Sequence, residues 1–201
     1  MGQKESVVFT IERYLYLEAS AEHRNEYERG KIYAMSGGTI NHGIIGSNIN
    51  SALNNGISDA DLDCTSINGD VRIFIEESQS FVYPDATVVC GAIETAEVDK
   101  HSIINPMLVV EVLSKSTERY DRGDKFHKYC SLPSFKEYVL IDQYKAVIDV
   151  LYRESDKYWK MSTCIGLDKS IYLHTLDFEI PLRTIYRNVK DLKDPNFKLA
   201  L

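Results

Sequence analysis

The sequence is poor in the features that would assign its class at once. No stretch approaches the roughly 18 apolar residues of a membrane-spanning helix, and the opening MGQKESVVFTIERY has no signal-peptide core. The expectation is a cytoplasmic protein with no membrane partner. The start MGQKES satisfies a short acylation pattern at Gly2 and Ser6, but so short a match is better read as chance. Cysteine is scarce: Cys64, Cys90, Cys130 and Cys164 lie far apart without a CxxC pair. That spacing excludes the common zinc sites and predicts reduced thiols. Positive charge is also short, with 23 Lys and Arg against 30 Asp and Glu and a net charge of −7. Such a chain is not coated with basic surface for nonspecific nucleic-acid binding, although a local basic groove remains compatible with it. Internal repeats and low-complexity segments are missing as well.

What is present is enough apolar side chain for a sizeable core. The 201 residues are 44% hydrophobic, which suits a single domain spanning 1–201. FTIERYLYLEAS reads as a short helix capped by Thr10. NEYERGKIYAM reads as a strand pair turning at Glu28-Arg29-Gly30. Apolar residues at 44, 45, 49, 53 and 57 predict a helix capped by Thr39 or Asn41. LDCTSINGDVRIFI and FVYPDATVVC predict a hairpin across the polar EESQS. PMLVVEVLS is a strand, STERYDRGDKFHKYCSL a helix, and the last third is mainly strands closing on a short helix. The order predicts a mixed α/β (α+β) domain with a central sheet flanked by helices.

Two carboxylates stand in apolar strand contexts. Asp85 follows Pro84 near the start of YPDATVVC, and Glu111 interrupts LVVEVL. A buried carboxylate is costly unless it is paired, hydrogen-bonded or bound to a cation. Carboxylates converging from adjacent strands are the donors that Mg²⁺ or Mn²⁺ takes alongside water and substrate phosphate, and the Val112 carbonyl can add a ligand. In the following helix, Asp121, Lys125 and Lys128 share a face. Lys125 can point back to the strand end that carries Glu111; the competing reading is a solvated Asp121–Lys125 pair.

These stretches together resemble a known family. EYERGKIYAMSGGTINH, GDVRI, YPDATVVCG, NPMLVVEVLSKSTERYDRGDKFHKY and PSFKEYVLID are similar to the Uma-two family of endonucleases. That family belongs to the restriction-endonuclease-like PD-(D/E)xK superfamily. The resemblance runs from about residue 9 to residue 188. It implies a restriction-endonuclease-like fold, a divalent metal and phosphodiester hydrolysis, with DNA as the expected substrate. Asp85 and Glu111 match the two acids of the motif. The lysine expected two positions after the second acid is Leu113 here, and Lys125 matches a lysine moved to the next helix. Glu26 matches an acid that completes the metal shell, and His42 a helix position facing the cleft. Asp70 matches an acid of unassigned role, and Tyr129 is a core or hydrogen-bonding partner of the site.

The resulting expectation is an Mg²⁺-dependent endodeoxyribonuclease with Asp85 and Glu111 as ligands and catalytic residues and Lys125 as the catalytic lysine. It works without an organic cofactor and as a homodimer. Exposed-looking Tyr144, Tyr152, Tyr158 and Trp159 are candidates for the dimer interface, with core packing the competing reading. The alternative is a catalytically silent nucleic-acid-binding or assembly module that keeps the fold.

Overall fold

The computed structural model describes residues 7–35 and 37–195. The Gly2–Ser6 acylation pattern lies outside them.

Helix α1 (Ile11–Glu18) begins at Thr10, whose hydroxyl accepts from the Arg13 N–H at 3.2 Å. Strands β1 (Asn25–Glu28) and β2 (Lys31–Ala34) turn through Arg29 and Gly30, both at positive φ (43° and 86°). A two-residue turn of this hand matches strand twist and favours glycine. A side chain at Gly30 would also meet Val8. Helix α2 (Ile40–Asp59) is capped by Thr39 and buries Ile45, Ile49, Leu53 and Ile57 along one stripe.

The two long strands expected between residues 62 and 90 are each broken in two. Gly69-Asp70 separates β3 (Cys64–Asn68) from β4 (Arg72–Ile75), and Pro84-Asp85 separates β5 (Ser80–Val82) from β6 (Ala86–Cys90). β4 and β5 form the hairpin, while β3 and β6 pair with each other in a second sheet. Beyond them lie β7 (Ser102–Ile103), β8 (Leu108–Leu113), β9 (Glu137–Asp142), β10 (Val147–Ser155) and β11 (Tyr158–Ile165). A small ribbon of β12 (Ser170–Leu173) and β13 (Phe178–Pro181) leads into α5 (Leu182–Ile185).

Instead of one central sheet there are two larger ones. One has strand order β2-β1-β5-β4-β7 and the other β11-β10-β9-β8-β6-β3. β8 and β9 are parallel, and the crossover between them is helical. It runs as α3 (Glu118–Tyr120), a π-helical turn (Asp121–Lys125) and α4 (Phe126–Cys130).

All six residues of β8 are buried, and alternation sends them to two cores. Leu108, Val110 and Val112 pack with α2. Val109 and Leu113 pack with Tyr129, Phe135 and Tyr138. Glu111 shares the face of Val109 and Leu113, towards the crossover helix.

One expectation is corrected. Cys64 and Cys90 are directly opposed in the β3–β6 register and form a disulfide, leaving Cys130 and Cys164 as the free thiols. Strand pairing, invisible in linear spacing, brings the two sulfurs together. Trp159 follows the core-packing alternative and is partly buried. Its ring packs on Phe126 and Phe135 at centroid distances of 5.0 and 5.3 Å, Tyr152 stacks on His174, and Tyr158 alone of the four is largely exposed.

Candidate active site

The site begins with Glu111, placed mid-strand on the face that the crossover helix covers. Glu111 and Lys125 are each only 3% exposed. Lys125 Nζ lies 2.8 Å from Glu111 Oε1 and 3.2 Å from Glu26 Oε1, and donates to the Tyr83 carbonyl at 3.0 Å. Those three oxygens account for the three hydrogens of an ammonium group. The Tyr129 hydroxyl also donates to Glu111 Oε1, at 3.1 Å. Glu26 comes from β1 in the other sheet and accepts the Tyr83 N–H at 3.1 Å. Tyr83 therefore joins the strand break at Pro84-Asp85 to both Glu26 and Lys125.

Asp85 sits at that break. Its Oδ2 accepts the Val112 N–H at 2.6 Å, and its Oδ1 lies 3.4 Å from His42 Nε2. His42 is set on the first turn of α2 by the Thr39 cap, which accepts the His42 N–H at 3.1 Å. Thr39 also donates to Gln143 Oε1, and Gln143 Nε2 donates to the Leu113 carbonyl at 2.8 Å. The start of α2, the end of β8 and the end of β9 are thus tied together around Asp85.

Asp121, which the sequence places on the face of Lys125 but not among the candidate site residues, joins the cluster, as does the Tyr83 backbone. Asp121 is 3% exposed, and its Oδ1 lies 3.9 Å from Lys125 Nζ. The pair is buried, not solvated, because the π-helical turn holds both side chains on the inner face. Such turns occur frequently at functional sites. The turn is held against the sheet by Arg122, whose Nη1 donates to Asp149 Oδ2 of β10 at 2.7 Å. Lys128 points to Glu28 (2.8 Å), one position pair along β1 from Glu26. Asp70 stands apart from the buried cluster. It is exposed at the cleft mouth, 3.4 Å from Arg24.

Four carboxylates and one lysine make the site strongly polarised. Burial pushes the Glu111 carboxyl well above its ordinary range, against the pull of Lys125. Burial also opposes the charged form of Lys125, but Glu111, Glu26 and Asp121 outweigh it and hold the amine protonated. Burial raises Asp121. His42 is raised in spite of its burial, because Asp85, Asp121 and the Val112 backbone favour the charged ring.

The carboxylates Glu26, Asp85, Glu111 and Asp121 open onto one cleft of about 1180 Å³, walled by α2 and the loop after β8. Oxygen donors of this kind fit a hard divalent ion, and their negative charge exceeds what Lys125 supplies. Among the described residues, no three acids or histidines are already arranged as a ligand shell.

The comparisons with known proteins agree with this architecture. A family profile described as "Putative restriction endonuclease" (Uma2) matches residues 11–183. An uncharacterized protein of Synechocystis sp. is 33% identical over 178 residues, 89% of this chain and 91% of its own length. A second from the same organism is 29% identical, covering 82% of this chain and 92% of its own. A solved structure described as a "putative nuclease belonging to DUF820", from Anabaena variabilis, superposes with a TM-score of 0.69 at 17% identity. The match covers 89% of this chain and 97% of that one. At that identity the likeness concerns the fold alone, a mixed α/β fold of sheets flanked by helices. The chain belongs to the Uma2 family, described as putative restriction endonucleases.

Proposed function

We propose that this protein is a divalent-metal-dependent endonuclease that hydrolyses DNA phosphodiester bonds in the cleft between α2 and the crossover helix. The observation that carries the reading is the buried contact between Lys125 and Glu111, with Glu26 and Asp85 converging on the same cleft. A charged pair so fully buried is expensive. Its position at a cleft floor favours a functional reason for keeping it.

Asp85 and Glu111 would hold Mg²⁺ or Mn²⁺, with Glu26 able to complete the shell. When bound, such an ion polarises the phosphate and lowers the pKa of a coordinated water. The chain's own residues prepare the site. The Val112 N–H and His42 fix the Asp85 carboxylate from two sides. Lys125 and Tyr129 fix Glu111 through Oε1. The Lys125 ammonium offsets the surrounding carboxylates and counters negative charge that builds on the phosphate. One cleft cuts one strand, so cleavage of a duplex calls for a homodimer. The whole chain, 1–201, acts as a single domain.

The test is plasmid nicking with Mg²⁺ or Mn²⁺ by the wild type, Glu111→Ala and Lys125→Ala. Both variants are expected to lose at least about 100-fold in rate; unchanged rates in both would reject the assigned roles. A second reading, a binding module without catalysis, draws on the lack of a ready ligand shell among the described residues. Calorimetric titration with Mg²⁺ separates the two, since the silent module binds no ion.

A further inference from the structure

The cleft contains a charge problem. Its lining includes only three lysines and arginines, Arg24, Lys115 and Lys125, against six carboxylates. Lys125 is committed to Glu111 and Glu26, and Arg24 lies against Asp70. A nucleic-acid strand brings one phosphate charge per nucleotide, and binding depends on cations that replace its counterions. The cleft interior supplies almost none.

The missing cations lie just outside it. Residues 183–193, RTIYRNVKDLK, carry Arg183, Arg187, Lys190 and Lys193, with Asp191 inside the stretch and Asp194 directly after it, in a chain whose net charge is −7. The stretch is bound along α2 by side-chain amides. Asn48 Nδ2 donates to the Ile185 and Arg187 carbonyls at 3.0 and 2.8 Å, and Asn41 Nδ2 donates to the Lys190 carbonyl at 2.9 Å. Its end reaches the cleft rim, where the Lys193 N–H donates to the carbonyl of Tyr144 at 2.8 Å. Tyr144 itself lines the cleft, and the Lys115 ammonium sits 5.7 Å over its ring. Backbone carbonyls take up the anchoring amides, so Arg187, Lys190 and Lys193 keep exposed side chains.

We infer that residues 183–193, continued by Lys115, form a cationic rail along α2 that carries the phosphodiester backbone of the DNA strand to the rim of the cleft. The rail rests on the nuclease reading and adds to it the surface that supplies affinity. It divides the labour: the acidic interior handles one phosphate, and the rail holds its neighbours.

The experiment measures binding of a fluorescein-labelled DNA duplex by anisotropy in EDTA across a salt series, and cleavage with Mn²⁺. The variants are R187A/K190A/K193A and, as a milder version, R187Q/K190Q/K193Q. A control, K157A/K160A, removes one cation from the β10–β11 turn and one from β11. The rail variants are expected to bind at least tenfold more weakly at low salt. Their log–log salt slope should be shallower by about 2–3, close to 0.9 for each phosphate that is no longer neutralised. The control should keep the wild-type affinity and slope. Wild-type affinity and slope in both rail variants, with the wild type binding and cutting, would overturn the rail alone. A wild type that neither binds nor cuts DNA would overturn the nuclease reading and the rail with it.

Discussion

Burying a carboxylate beside an ammonium sacrifices the hydration of both, and good geometry is needed to recover it. Glu111 obtains that geometry from two donors on one oxygen, Lys125 at 2.8 Å and Tyr129 at 3.1 Å. The two donors are not equivalent. Lys125 is the neighbouring positive charge, whereas Tyr129 contributes a hydroxyl on a ring already packed against Phe135 and Tyr138. Tyr129→Phe is therefore expected to destabilise the fold by about 1.5–3 kcal/mol, the worth of a hydrogen bond to a charged group. It should leave plasmid nicking far less affected than Lys125→Ala does. Urea unfolding and the nicking rate check this, and a nicking loss equal to that of Lys125→Ala would contradict it. Glu111 was legible in the sequence because a charge inside the apolar run LVVEVL fits a solvated strand poorly. Asp121 was not, because Asp and Lys four apart on a helix are ordinarily a surface pair. Tyr83 gave no signal either: its contribution is a backbone carbonyl and N–H.

At the scale of elements, helices and turns were read well where the cue is local. Thr10, Thr39 and Arg29-Gly30 mark the ends that the structure uses. Elements that depend on distant partners were read less well. Nothing local tells β3 from β4 as members of different sheets, although Gly69-Asp70 and Pro84 mark the breaks. The π-helical turn is equally silent, since one turn is too short to shift a hydrophobic period. The β3–β6 disulfide follows from the same long-range pairing and has a direct readout. Denatured, unreduced protein should titrate two thiols and reduced protein four, in line with Cys130 and Cys164 being the free ones. Burial pushes the Cys130 thiol up to about 11, so in native protein at neutral pH it should react slowly with a thiol reagent. Four thiols without reductant would contradict the pairing.

At the scale of the molecule, the two sheets meet through charges as well as apolar packing. Glu26 and Glu28 of β1 face Lys125 and Lys128 of the crossover. On the far side, Arg72 of β4 holds Asp99 at 2.8 Å in the loop that leads to β7. Burial works against the charged Asp99 carboxyl, but Ser102 and Arg72 outweigh it and keep its pKa below the ordinary value. A carboxyl depressed in the folded state stabilises above its unfolded pKa of about 3.9. That contribution disappears as pH falls through the folded value. Asp99→Asn should therefore be less stable than the wild type at pH 7, with the gap closing below about pH 3.9. Urea titrations at several pH values check the trend, and a gap independent of pH would contradict it.

The helical crossover between the parallel strands also bears on the order in which the site assembles. Tyr129 and Glu111 are 18 positions apart, whereas Val112 meets Asp85 across 27, Lys125 meets Tyr83 across 42 and Tyr83 meets Glu26 across 57. Short loops close at lower entropic cost. The glutamate and its helical partners form a nearly self-contained segment, onto which the Asp85 strand and then the N-terminal hairpin dock. A refolding chain should protect the amides of β8, β9 and the crossover before those of β1 and β2, so the acidic half of the cleft contributed by Glu26 closes last.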